Sequence, residues 1–434
     1  MPTEPQPVDS FPATGLLPAL LEALDKAKFL IPTPIQAAAI PVALTGRDLT
    51  GIAQTGTGKT MAFALPILNS LLEHPEGNAL IIVPTRELAL QVEASIRTVT
   101  KFLHHAPRTL CLIGGQPIYR QIKDLRYDPS ILVVTPGHLN DHLEQKTVHL
   151  NSVKFLVLDE ADRMLDMGFA PQIRRIVDAM PATRQTMLFS ATMAPDIARI
   201  TNEYQTDPQR IEVDRSGENN AQIDQQLLWV SQAGKMEALY TLLQKYQGTV
   251  LVFSRTKHGA SRLAEKLEQS GISAAEIHAD RSLGQRRQAL DGFKSGRYRV
   301  LVATDVAARG IDVKDITLVV NYDLPDAAED YVHRIGRTGR NGQTGLAISF
   351  AAPDQLRDVQ QIERLTGKKL ELAEGSDSSP AAPSYASSNS RRRNSGPQRS
   401  SGPQGGQSAG PPRRSYGNGR GGGAPRKFYE GSFG

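Results

Sequence analysis

Short apolar runs recur along the chain at residues 49–53, 79–83, 131–134, 155–158 and 186–189, and again at 249–253, 299–303 and 316–320. Each spans four or five residues without polar alternation. Such runs are too short for a buried helix and read as strands covered on both faces. Helix-length segments such as 61–72 lie between them. Strands alternating with helices predict an α/β class built on doubly wound parallel sheets. The pattern lapses into polar residues near 214–222 and then restarts, so two such domains are expected. The boundaries read as a flexible start at 1–10, a first domain at 11–208, a linker at 209–222 and a second domain at 223–374. From 375 to 434 the composition collapses to Ser, Gly, Pro, Arg, Asn and Gln. Too few apolar groups remain there to offset the entropy of ordering, and a disordered tail is predicted.

At 434 residues and 39% hydrophobic content, the chain is long enough for two cores plus a tail. It has no long apolar span and no basic start followed by an apolar run, so a soluble cytoplasmic protein without membrane attachment is expected. The single cysteine, Cys111, sits in an apolar strand-like stretch and reads as a small core residue, which leaves no disulfide framework. The net charge of +5 is unevenly placed. The tail from 375 carries eight arginines and one lysine against Asp377 and Glu430, a net +7, leaving −2 on residues 1–374. Its Arg391, Arg392, Arg393, Arg413 and Arg414, with Tyr416, Phe428 and Tyr429, suit phosphate contact and base stacking, or simply a solubilising tail.

Candidate chemistry lies at the ends of the apolar runs. Run 49–53 leads into Gln54-Thr-Gly-Thr-Gly-Lys-Thr60 and then into a helical segment, the setting of a phosphate-binding loop. Gly56 and Gly58 let the backbone wrap an anion, with Ala53 in place of the usual first glycine and Gln54, Thr55 and Thr57 completing the turn. Lys59 reaches the outer phosphates of a nucleotide, and Thr60 offers its hydroxyl to Mg²⁺. Alone, the segment would also suit an ordinary turn before a helix. Run 155–158 ends in Asp159-Glu-Ala-Asp162, which sets acids at the carboxyl edge of a strand, where such sheets bind ligands. Asp159 is expected to hold Mg²⁺ largely through water, and Glu160 to orient and deprotonate an attacking water. An acidic helix start is the plain alternative. Farther on, His333-Arg-Ile-Gly-Arg-Thr-Gly-Arg340 is dense in arginine. Arg337 and Arg340 fit fingers that neutralise a transferring phosphate, or else a basic nucleic-acid loop.

Taken in order over residues 11–368, these segments resemble the DEAD-box branch of superfamily 2 helicases. The match runs through Phe11, Phe29, Pro32-Thr-Pro-Ile-Gln36, the loop 53–60, Pro84-Thr-Arg-Glu-Leu88, Gly114-Gly115 and Thr135-Pro-Gly137. It continues through Asp159 to Asp162, Ser190-Ala-Thr192, Val252-Phe-Ser-Arg-Thr256, Ala303-Thr-Asp305, Arg309-Gly-Ile-Asp312 and the segment 333–340. The resemblance implies two tandem RecA-like domains and an RNA-dependent ATPase that unwinds short RNA duplexes or remodels RNA–protein complexes, using ATP and Mg²⁺. It implies that Gln36 reads the adenine edge, that Phe11 and Phe29 pack near that base, and that Asp312 contacts the ribose. Thr85, Arg86, Gly115, Thr135, Gly137 and Asp141 would line the RNA path in the first lobe, and Ser254, Arg255 and Thr304 in the second. Ser190 and Thr192 would hydrogen-bond toward Asp162 and His333, coupling nucleotide state to lobe closure. Single-stranded RNA and short duplexes are the implied partners, with ribosome-assembly or RNA-decay proteins as further ones.

Three positions depart from the family pattern. Lys28 stands where glycine is usual, His138 where arginine is usual, and Leu283 where glutamine is usual, while Arg286 keeps the arginine three residues on. His138 exchanges a permanent cation for one charged mainly below about pH 6.5, so a weaker RNA grip is expected. Leu283 is expected to alter second-lobe contacts. An ATP-gated RNA clamp, or an RNA chaperone acting through the basic tail, is the alternative to a helicase. The short length and Gly/Ser/Arg tail look like the small bacterial RhlE-like members, and a monomer is expected.

Overall fold

The computed structural model describes residues 8–54, 56–213, 223–308, 316–339 and 344–376. Thr55, Asp312, Arg340, the stretch 214–222 and the tail from 377 lie outside the described residues. The first lobe is a parallel sheet of β1 (Leu49–Ile52), β2 (Asn78–Ile82), β3 (Thr109–Leu112), β4 (Ile131–Val134), β5 (Val153–Leu158), β6 (Gln185–Ser190) and β7 (Gln209–Glu212). Among the described residues, the second lobe is a parallel sheet of β8 (Ile223–Trp229), β9 (Val250–Phe253), β10 (Ala274–Ile277), β11 (Val300–Ala303), β12 (Leu318–Asn321), β13 (Gly345–Ala351) and β14 (Glu371–Leu372). The spatial orders are β3-β4-β2-β5-β6-β1-β7 and β10-β11-β9-β12-β13-β8-β14. Lowering each second-lobe label by seven turns one order into the other, so a single topology is built twice.

Helices cover both faces of each sheet, which is why the strand runs are apolar throughout. Alternate side chains of one strand enter opposite cores. In β2, Ala79 and Ile81 pack with Phe63 and Val92, whereas Leu80 and Ile82 pack with Met164 and Ile176. In β9, Leu251 and Phe253 join Phe293 and Tyr331, whereas Val250 and Val252 join Leu239 and Leu263. One boundary moves. Residues 209–212, expected in the linker, form β7 and pair with β1 on the edge of the first sheet. Their alternating burial, with only one covered side, lacks the continuous apolar signature of the inner strands.

Lys28 adopts a left-handed backbone, φ +66°. It follows the helix Pro18–Lys26, where Lys28 N–H donates to Asp25 O and Phe29 N–H to Leu24 O, both at 2.9 Å. This paired closure is the Schellman motif, whose left-handed position glycine fills at no steric cost. The Lys28→Gly variant should therefore be more stable by about 1 kcal/mol, seen as a higher midpoint of first-lobe chemical denaturation. An unchanged or lower midpoint would show that the lysine relieves its strain elsewhere.

Candidate functional site

In the first lobe, candidate residues from distant parts of the chain collect at the carboxyl ends of the strands. The helix Lys59–Glu73 begins just beyond β1, and the loop before it turns on Gly56 (φ +87°) and Gly58 (φ +93°). A Cβ on Gly58 would lie 2.4 Å from Gln36 Nε2, so side chains are excluded there. Gln36 is buried, donates to Gly58 O at 2.9 Å and accepts from Thr33 N–H at 3.0 Å. Thr57 Oγ1 donates to Gln54 O at 2.7 Å, which closes the turn. Phe11 lies fully within the first-lobe core, and Phe29 packs half-buried against the same cluster.

Lys59 Nζ is buried, makes no hydrogen bond within the described protein, and lies 4.0 Å from Asp159 Oδ1. An ammonium so placed at a helix start, beside a glycine that admits no side chain, fits the outer phosphates of a nucleotide. Burial pushes Asp159 up to about 6; Lys59 opposes this, while Glu160 and Asp162 reinforce it. A buried carboxyl under that strain fits a cation held with phosphate oxygens and water, with Thr60 beside Lys59 at the helix start.

Glu160 caps the short helix Ala161–Asp166 with φ +54°, a strained conformation for a side chain of its size. Its Oε2 accepts from Arg163 Nη1 at 2.8 Å, both groups being buried. Burial alone would raise Glu160, but Arg163, Lys59 and Arg337 together hold it below the usual carboxylate range. Arg337 belongs to the second lobe, so the two lobes share one electrostatic site. Arg163 lines the same small cleft as His333, Arg334 and Arg337. Burial pushes His333 down to about 4, with Arg163 and Arg337 adding to the effect and Asp162 and Glu160 opposing it.

The coupling residues differ in detail from expectation. Asp162 Oδ2 accepts from the backbone N–H of Ala191 at 2.9 Å, while Ser190 Oγ accepts from Thr192 N–H at 3.4 Å. The backbone between the two hydroxyl residues makes the link, because Ser190 is fully buried at the end of β6. Arg334, which sequence reasoning left unassigned, is the buried strut beneath Arg337. It grips Asp305 at 2.5 and 2.6 Å, donates to Asp323 O at 2.6 Å, and lies 4.9 Å from the centroid of the Phe253 ring.

Along the expected nucleic-acid path, Thr85 caps the helix Arg86–Thr100 by accepting from Leu88 N–H. Arg86 lies over Gly114 and Gly115, so a Cβ on either would come within 2.8 Å of its guanidinium. Thr135 precedes the helix Pro136–Glu144, on which Gly137 and Asp141 are exposed. In the second lobe, Ser254 is buried and turned toward Asp323, which also accepts from Arg255 N–H and pairs with Lys235 at 2.9 Å. Thr304 is largely buried at the end of β11.

Two contacts across the lobes went unread in the sequence. Arg286 Nη2 donates to Glu87 Oε2 at 2.8 Å, and both side chains are buried. Leu283, expected to change second-lobe contacts, instead packs against the first-lobe core cluster and sits 3.5 Å from where a Gly115 Cβ would be. Among the described residues Glu87 Oε1 and Arg286 Nε find no partner, so the pair is imperfectly compensated. Removing one member strands a buried charge, costing roughly 3–5 kcal/mol if the lobes stay closed. Arg286→Met should therefore favour open lobes and raise the RNA concentration for half-maximal ATP turnover about tenfold or more, whereas Glu87→Gln with Arg286→Met should lose less. A double variant as impaired as the single one would remove the pair from lobe closure.

The sequence profile for DEAD/DEAH box helicases matches residues 33–200, and that for the helicase conserved C-terminal domain matches 234–342. The DEAD-box ATP-dependent RNA helicase CshA of Bacillus cereus is 44% identical over 364 residues, covering 83% of this chain and 69% of that protein. The structure of S. cerevisiae Dbp5 bound to RNA and ADP BeF3 superposes with TM-score 0.73 at 32% identity, covering 84% of this chain and 96% of that one. Mss116p bound to single-stranded RNA and AMP-PNP gives TM-score 0.77 at 27% identity, with 86% and 80% covered.

Proposed function

Since the chain belongs to the DEAD-box ATP-dependent RNA helicases, we propose how its own residues divide the work of hydrolysing ATP on RNA and separating or remodelling what that RNA is paired to. The observation that carries the reading is the buried Lys59 ammonium beside Asp159, without a hydrogen bond among the described residues. Lys59 and the loop backbone at Gly56 and Gly58 bind the phosphates, and Gln36 selects adenine. Thr60 and Asp159 would hold Mg²⁺, which when bound neutralises phosphate charge. Glu160, kept ionised by Arg163, orients the attacking water and takes its proton. Arg337, braced by Arg334, faces the charge that develops on the transferring phosphate. Arg340 and Asp312, outside the described residues, would serve as a second finger and a ribose contact.

Thr85, Arg86, Gly115, Thr135, Gly137 and Asp141, with Arg255 and Thr304, would contact the sugar-phosphate backbone, which holds RNA without reading its sequence. Ser254 acts through Asp323. We further assign the work to a monomer, because both halves of the nucleotide site come from one chain, and to the cytoplasm, where ATP and RNA occur together. No described helix is long and apolar enough to cross a membrane. Single-stranded RNA and short duplexes, within ribosome assembly or RNA decay, are the substrates this reading favours.

The test is steady-state ATP hydrolysis without nucleic acid, with RNA and with matched DNA, for the wild type and Lys59→Ala. RNA-selective stimulation that disappears in the variant is the expected result. Stimulation that survives in Lys59→Ala would sink the assignment of the phosphate site.

A further inference from the structure

His138, on the helix Pro136–Glu144, is tucked inward with its side chain 12% exposed. Its Nε2 lies 3.1 Å from Oε1 of Gln121, a buried residue of the helix Ile118–Leu125. Gln121 grips the backbone of Ile113 from both sides: Ile113 N–H donates to Oε1 at 3.2 Å, and Gln121 Nε2 donates to Ile113 O at 3.1 Å. That double bond sets which end of the amide is oxygen, so His138 must carry its proton on Nε2. Its bare Nδ1 then faces Asp141 Oδ2 at 3.4 Å. Ile113 immediately precedes Gly114 and Gly115, and Gly115 holds φ +85° against Arg86.

We propose that His138 is a positioning residue which, through Gln121 and Ile113, holds the Gly114–Gly115 turn in its RNA-binding shape, and that protonation of His138 tightens RNA binding. The inference rests on the proposed RNA path along Arg86, Gly115 and Thr135. On protonation, Nδ1–H donates to Asp141 Oδ2 and the ring adds a cation that offsets the Asp141 charge toward the phosphates, while Asp141 stays in place and Nε2–H keeps its bond to Gln121. The charged groups facing the ring are Asp141 and His142 on its own helix, the latter edge-on at 5.0 Å between centroids, and Arg86 from the helix opposite. Burial, with Arg86, holds the ring below the ordinary histidine value against the pull of Asp141. The ring is therefore neutral at pH 7, and affinity rises as pH falls through its titration.

The experiment follows short single-stranded RNA binding and RNA-stimulated ATP turnover of the full chain from about pH 7.5 down to about pH 5, for wild type, His138→Ala, His138→Gln and Arg86→Ala. His138→Ala should weaken RNA binding about fivefold at the higher pH with turnover at saturating RNA retained. His138→Gln, whose amide can still donate to Gln121, should match wild type at the higher pH. Wild type should tighten about threefold at the lower pH, and His138→Gln should not. Amide exchange at 114–115, faster in His138→Ala than in wild type, reads the clamp directly even if that variant folds poorly. Wild-type affinity and exchange in His138→Ala, with Arg86→Ala weakened, would overturn the clamp alone. Wild-type affinity in both would overturn the RNA path and the clamp together. An RNA affinity in the wild type that does not change with pH would overturn the protonation half.

Discussion

Replacing Glu160 with Gln is expected to lower RNA-stimulated ATP turnover by about 10²–10⁴-fold while leaving ATP and RNA binding nearly intact, since a positioned general base contributes that much. The substitution keeps the size of the side chain and an oxygen for Arg163, and removes the negative charge that takes the proton of the attacking water. Glu160 is held in the left-handed backbone region, where an ordinary side chain costs about 1 kcal/mol or more, a strain of the kind found at functional positions. Because Arg163, Lys59 and Arg337 outweigh burial and keep this carboxyl below its ordinary value, its contribution to activity is complete above that value. It is lost only as pH falls through it, so turnover should not decline through neutral pH on its account. Turnover in Glu160→Gln within a few-fold of wild type would show that water is activated elsewhere.

Arg337→Ala should lower turnover by about 10³–10⁵-fold, the range measured for arginine fingers in related phosphoryl transfer. Arg337 is 3% exposed, and its Nε is steadied by His333 O at 3.3 Å. Its charge acts on Glu160 of the other lobe and on His333, and it lines one small cleft with Arg163 and His333, which supports the proposed finger role over a basic RNA loop. RNA affinity with an ATP analogue should change far less than turnover. Arg337→Lys should recover little, because a point ammonium cannot reproduce the planar fork of the guanidinium. Loss of RNA binding with turnover retained at saturating RNA would reverse the assignment and return the segment to a basic nucleic-acid loop.

The α/β class, the two sheets and the candidate phosphate-binding loop were legible in the sequence for one reason: their signals are local. A strand covered on both faces needs a contiguous apolar run, and the loop needs its glycines, lysine and threonine within a few consecutive residues. Asp159 and Glu160 were legible because they directly follow such a run. The tertiary structure decided whatever depends on residues far apart. Arg286 and Glu87 meet across 199 positions, and Asp323 gathers Lys235, Ser254 and Arg255 from 68 or more positions away. The edge strand β7, half-covered, carries no continuous apolar run to mark it. Lys28 departs from the family pattern on paper, but only the backbone shows it held in a left-handed turn. His138 looked like a lost cation, and folding tucked its ring against the Gln121 amide at 3.1 Å. Periodicity reports what a residue's neighbours along the chain require, whereas buried charges and turns are selected by what the fold brings against them.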